Sequence, residues 1–194
     1  MNFNRIKLYG KTLLLKRGVM VSAIITFRCN LHCPYCILNS TGGKPTAPES
    51  TLTEWKDLFT KFTVKIREVI VTGGEPTLYP HFAELVSWLL AQGYHVKVQT
   101  NLTNPHLFYL IKPSHRLRIV ATYHHQEDPQ KFNTFYQIVK QLHRIDAHEL
   151  GTKALPYSTL MPILGKEGLP KHSLRITPDR KIQIGCLEAI NNNL

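Results

Sequence analysis

Residues 19–36 read VMVSAIITFRCNLHCPYC, and this stretch decides the fold. Val19 to Phe27 is a nearly continuous apolar and β-branched run, which predicts a strand buried on both faces in a parallel sheet. The cysteines begin two residues later. Cys29, Cys33 and Cys36 fall within eight residues, a C-x3-C-x2-C spacing that lets one short loop wrap three thiolates around a single inorganic centre. Cysteines stapling distant loops would be spaced more widely, so this clustering favours a metal centre in a reducing compartment over disulfides. A structural zinc site closes with four ligands, and His32 or Cys186 could supply the fourth, whereas an iron-sulfur centre would leave that position open. Spacing alone leaves both readings standing.

Downstream, Leu38 to Ser50 is rich in Gly, Pro, Ser and Thr and reads as a loop, after which Thr51-Leu-Thr-Glu54 has the form of a capping box. The helix it starts carries Leu52, Trp55, Leu58, Phe59 and Phe62 at helical spacing, and a short strand, Glu68 to Thr72, leads to Gly73-Gly74. The unit then repeats. A helix with Phe82, Leu85, Val86, Leu89 and Leu90 on one face stops near Gly93, before the strand His95 to Thr100. Asn104-Pro105 predicts a further short helix ending before Pro113, then a strand from Leu117 to Thr122. Phe132, Phe135, Tyr136, Val139 and Leu142 mark a fourth helical face.

Strands alternating with helix-length crossovers demand parallel pairing, so the fold class is α/β, with helices outside a curved, barrel-like sheet. At 194 residues the chain fits one domain but is short for a closed eight-fold barrel of about 250, which points to a partial barrel. Its core spans about 19–146. Residues 147–194 form a loop-rich C-terminal extension in which Leu174 to Ile176 and Lys181 to Ile184 predict a hairpin around Pro178-Asp179. Upstream, Arg5 to Lys16 alternates polar and apolar residues around Tyr9-Gly10-Lys11 and predicts an N-terminal hairpin.

Apolar residues make up 43% of the chain and charged residues 19%, as in ordinary globular domains, so disorder and fibrous repeats are excluded. No run approaches the roughly 18 apolar residues of a membrane span, and Met1 to Arg17 has no secretory core, so a cytoplasmic protein is expected. Lys and Arg outnumber Asp and Glu by 24 to 13, giving a formal charge of +11. That excess fits either a solvated basic surface or an anionic substrate.

The cysteine triplet after one strand, taken with Gly73-Gly74-Glu75-Pro76 after the next, resembles the radical S-adenosylmethionine superfamily over roughly Val19 to Leu142. The resemblance implies a partial βα barrel with its chemistry at the C-terminal mouth of the strands. It implies that Cys29, Cys33 and Cys36 bind three irons of a 4Fe-4S cluster, whose fourth iron takes the methionyl group of S-adenosylmethionine. Reductive cleavage would then yield a 5′-deoxyadenosyl radical that abstracts hydrogen from a substrate, with flavodoxin or ferredoxin as the kind of electron donor expected. Tyr35 would lie beside the adenine. Gly73 and Gly74 would let the backbone approach the ligand, Glu75 would accept from the cofactor's ammonium group, and Pro76 would stiffen the turn. Asn101 and Thr122, at the ends of later strands, are further cofactor candidates, and of the neighbouring His124 and His125 only one can face the pocket; His124 is the choice.

Cys186 ends a stretch that resembles the hairpin leading into the auxiliary-cluster domains of peptide-modifying relatives. It stands alone there, with Ser173 upstream, so a free or buried thiol is expected. Glycyl-radical activases and peptide- or nucleotide-modifying enzymes of the same superfamily remain alternatives. The competing class is a zinc-stabilised nucleic-acid-binding module, which leaves Gly73-Gly74-Glu75-Pro76 unexplained.

Overall fold

A computed structural model describes residues 18–34, 36, 48–124, 127–150, 173–176 and 182–184. Strand β1 (Val19–Thr26) lies inside the sheet, with β2 (Ile66–Gly73), β3 (His95–Thr100), β4 (Leu117–His124) and β5 (Arg144–Leu150) added in sequence order to one side, all parallel. On the other side β6 (Ser173–Ile176) pairs parallel with β1, and β7 (Ile182–Ile184) closes an antiparallel hairpin with β6. That hairpin is the one predicted for the C-terminal segment. The predicted N-terminal hairpin lies outside the described residues, as do Tyr35, His125 and Cys186.

Among the described residues, three α-helices connect these strands: α1 (Leu52–Thr60), α2 (Phe82–Ala91) and α3 (Pro129–Lys140). Their apolar faces meet one side of the sheet in a single core that includes Trp55, Phe59, Leu85, Leu89 and Val139, packed on Val21, Ala23, Val69, Val71, Val96, Val98 and Ile119. The opposite sheet face is only partly covered. On β1, Val19, Val21, Ala23 and Ile25 are buried while Met20, Ser22 and Ile24 are half-buried, so the strand expected to be buried on both faces is dry on one. Strand β3 repeats this, with Val96 and Val98 buried and Gln99 exposed. Among the described residues the α-helices pack on one side of the sheet, and polar strand positions lie on the other.

Local signals explain most boundaries. Thr51 and Glu54 form the predicted capping box: the Thr51 hydroxyl accepts from Glu54 N at 3.3 Å and Glu54 Oε2 accepts from Thr51 N at 2.8 Å. Thr51→Ala should therefore cost about 1 kcal/mol in urea unfolding, with the slope unchanged. Gly93 (φ +86°) turns the chain out of α2 into β3, a conformation that favours glycine.

Two expectations change. Pro105–Leu110 is a 3-10 helix, not an α-helix: Asn104 makes no side-chain cap, and Pro113 bars extension of so short a segment. Strand β5 continues to Leu150, past the expected core boundary at 146. Among the described residues no helix is long and apolar enough to cross a membrane.

Candidate functional site

The cysteine loop leaves the C-terminal end of β1 beside the turn that follows β2. Gly74 N donates to Thr26 O at 2.9 Å and Glu75 N to Arg28 O at 2.7 Å, so the turn is stitched to the two residues that lead into Cys29. A Cβ on Gly73 would lie 2.3 Å from Thr26 O, and one on Gly74 would lie 2.2 Å from Arg28 O. The glycines thus allow a close approach of the protein's own backbone, with no room for a Cβ at either position.

Glu75 is buried at 1% exposure. Its Oε1 accepts from Thr77 N (3.1 Å), Thr77 Oγ1 (2.6 Å) and Thr100 Oγ1 (2.7 Å), and its Oε2 accepts from Asn101 N (2.7 Å). Burial pushes its carboxyl above the ordinary range, while the hydrogen bonds from Thr77, Asn101 and Thr100 pull the other way. The carboxylate is an internal brace between the β2 turn and the end of β3. Pro76 begins a 3-10 turn (Pro76–Leu78) capped by Glu75, consistent with a stiffened turn.

Asn101 likewise faces the protein. Its Nδ2 donates to Asn30 Oδ1 at 2.9 Å, and its Oδ1 accepts from Thr103 N (3.1 Å) and Thr103 Oγ1 (2.8 Å). Thr122 is half-buried near the end of β4, on the same mouth. Arg28 forms a two-bond ion pair with Glu49 (2.8 and 2.7 Å), and Thr26 Oγ1 also donates to Glu49, joining the two ends of the cysteine loop. Asn30 and Glu49 escaped the sequence reading because their partners Thr103 and Arg28 are distant along the chain.

Cys29 and Cys36 are half-buried and Cys33 is buried. Cys36 N donates to Cys33 O at 3.0 Å, Leu31 N approaches Cys29 Sγ at 3.4 Å, and His124 Nδ1 lies 3.6 Å from Cys33 Sγ. His124, at the end of β4, thus reaches the loop as expected. Among the described residues no three Cys, His, Asp or Glu side chains are drawn together closely enough to hold a metal. The donor set nevertheless fits an iron-sulfur cluster: three soft thiols on one loop, partly shielded, with an amide and an imidazole within reach of two sulfurs.

Beside this loop lies a cavity of about 230 Å³, lined by Leu31, Leu102, Glu127, Lys131 and Phe135 among others. Glu127 Oε2 accepts from His124 N at 2.8 Å. Burial pushes the Glu127 carboxyl up from 4.5 to about 7, with the His124 hydrogen bond opposing and the Glu75 charge adding to the rise. The folded chain therefore holds this proton more tightly than the unfolded chain, and stability contributed by Glu127 falls as pH rises from 4.5 to about 7. Glu127→Gln should match wild type in thermal melts at pH 4 and exceed it at pH 8.

A family model described as the Radical SAM superfamily matches residues 23–167. The chain belongs to the radical SAM superfamily. It is accordingly an enzyme whose cofactors are a 4Fe-4S cluster and S-adenosylmethionine, and the zinc-stabilised binding module is overturned. The 7-carboxy-7-deazaguanine synthase of Aquifex aeolicus is 37% identical over 78 residues, covering 39% of this chain and 33% of the synthase. The mycofactocin maturase MftC of Mycobacterium tuberculosis is 36% identical over 78 residues, 40% of this chain and 19% of the maturase. The chain thus spans a third or less of these curated relatives. Among solved structures, BtrN in complex with AdoMet and 2-DOIA superposes with a TM-score of 0.61 at 17% identity, over 91% of this chain and 76% of that one, a likeness of fold.

Proposed function

We propose that this radical SAM chain holds its 4Fe-4S cluster on Cys29, Cys33 and Cys36 and abstracts a hydrogen atom from a substrate still to be identified. The observation that carries the reading is the position of the thiols. They stand on the loop leaving β1 at the C-terminal mouth of a parallel sheet, with the neighbours of Cys29 tied to the Gly73-Gly74-Glu75 turn. When bound, the cluster and S-adenosylmethionine supply one-electron cleavage of a carbon-sulfur bond, giving the 5′-deoxyadenosyl radical.

The chain's own residues do the rest. Three thiolates leave one cluster position for the cofactor's methionyl group, and the glycine turn brings backbone rather than side chains to that end of the sheet. Tyr35 and Thr122 are the groups we assign to the adenosine portion, and Pro76 with Asn101 to the wall behind it. Glu75 acts by fixing the amide of Asn101 rather than by touching the cofactor. A flavodoxin or ferredoxin in a reducing, cytoplasmic setting would supply the electron.

The test is anaerobic reconstitution with iron and sulfide, followed by S-adenosylmethionine and dithionite, with iron and 5′-deoxyadenosine quantified. About four irons per chain with reductive cleavage is the expected result. A colourless chain that yields no 5′-deoxyadenosine overturns the proposal.

A further inference from the structure

Between the buried Asn101 and Thr103, Leu102 adopts φ +62°, a left-handed conformation that costs a branched residue about 1 kcal/mol or more and persists only where the surroundings impose it. Leu102 is itself buried at 1% exposure, and its N–H donates to Thr100 Oγ1 at 2.9 Å. The sharp turn places the side chains of Asn101 and Thr103 side by side, facing the cysteine loop. There they close a ring with Asn30: Asn30 Nδ2 donates to Thr103 Oγ1 (2.8 Å), Thr103 Oγ1 to Asn101 Oδ1 (2.8 Å), and Asn101 Nδ2 to Asn30 Oδ1 (2.9 Å). Each member of the ring donates once and accepts once, an arrangement in which the bonds polarise one another.

Asn30 follows Cys29 directly. The residue before Cys29, Arg28, is held independently: its carbonyl accepts from Glu75 N at 2.7 Å, its N–H donates to Thr26 Oγ1 at 3.0 Å, and its guanidinium binds Glu49. Cys29 is therefore pinned on both sides. The ring also continues inward, since the Asn101 N–H donates to Glu75, whose own N–H holds Arg28.

We infer that Asn30 is a positioning residue, which acts through its ring with Asn101 and Thr103 to hold Cys29 in place for the cluster. The inference rests on the reading that Cys29, Cys33 and Cys36 bind that cluster. Its energetic reason is preorganisation: a loop already fixed beside its first thiol loses less freedom when the other two close on the metal, so the assembled centre is harder to dismantle.

The experiment compares reconstituted wild type with Asn30→Ala, Asn101→Ala, the double variant, and Thr103→Val, which removes the shared hydroxyl with little change of shape. The readouts are the rate of iron loss to a ferrous chelator, the EPR line shape of the reduced cluster, and the melting temperature of the iron-free chain. Each single variant should lose iron about tenfold faster than wild type with an altered EPR signal, while iron-free melting stays in place. The double variant should be no faster than the singles, because one ring is broken once. Wild-type rates of iron loss in Asn30→Ala and Thr103→Val overturn the inference while leaving the cluster reading intact. A fall in iron-free melting that parallels the faster loss overturns it too, by reducing the ring to fold stability. A wild type that takes up no iron removes the cluster reading, and this inference with it.

Discussion

Cys33→Ala should carry far less iron than wild type after reconstitution and form no detectable 5′-deoxyadenosine, a loss of at least about 1,000-fold against a wild type holding about four irons. Cys33 is the most buried of the three cysteines at 5% exposure, and its sulfur lies 3.6 Å from His124 Nδ1. Removing it takes away one of only three thiolates, and two cannot enclose the cluster on this loop. Alanine replaces a small side chain by a smaller one, so iron-free stability should fall by no more than about 1 kcal/mol. That contrast between lost metal and retained fold separates a ligand from a core residue. Cys186→Ala serves as the control and should keep its iron. A Cys33→Ala protein that retains the cluster and still cleaves S-adenosylmethionine would sink the ligand assignment.

Strands β1 to β4 and the three α-helices were legible because their signals are local: apolar runs of strand length, helical spacing of large residues, a capping box, and a glycine after α2. The cysteine triplet stands out in the sequence for the same reason, its three thiols lying within one loop. Strand β5 was harder to see because its apolar residues are few and charged ones stand between them. The half-burial of Met20 and Ile24 was hidden because both read as core from residue type alone.

Within the site, the protein partners of Glu75 and Asn101 were largely hidden because they are remote along the chain. Thr100 and Asn101 both donate to Glu75 from 25 and 26 positions away. The Asn101 amide closes on Asn30, 71 residues away. Pairings at that separation leave no periodicity or spacing to detect. Leu102 was invisible for a related reason: its left-handed backbone would be expected of glycine, and only the fold makes a leucine adopt it.

Gly74→Ala should lower stability by about 3 kcal/mol in chemical unfolding and weaken cluster retention at the same time. The new Cβ would stand 2.2 Å from Arg28 O, 2.7 Å from Arg28 C and 2.7 Å from Phe27 O, all backbone atoms with no rotamer by which to move aside. Relief requires the β2 turn and the residues before Cys29 to separate. That separation breaks the bonds from Gly74 N to Thr26 O and from Glu75 N to Arg28 O, exposing their partners. An ordinary packing error in the helix-facing core would reduce stability and leave iron affinity nearly alone, because no bond to the cysteine loop would be lost. In Gly74→Ala the two effects should travel together, with iron loss to a chelator accelerated even at temperatures where the chain remains folded. Full stability with normal iron retention would mean that the turn and the cysteine loop can part without consequence, and the tie between them would have to be abandoned as the basis of the site.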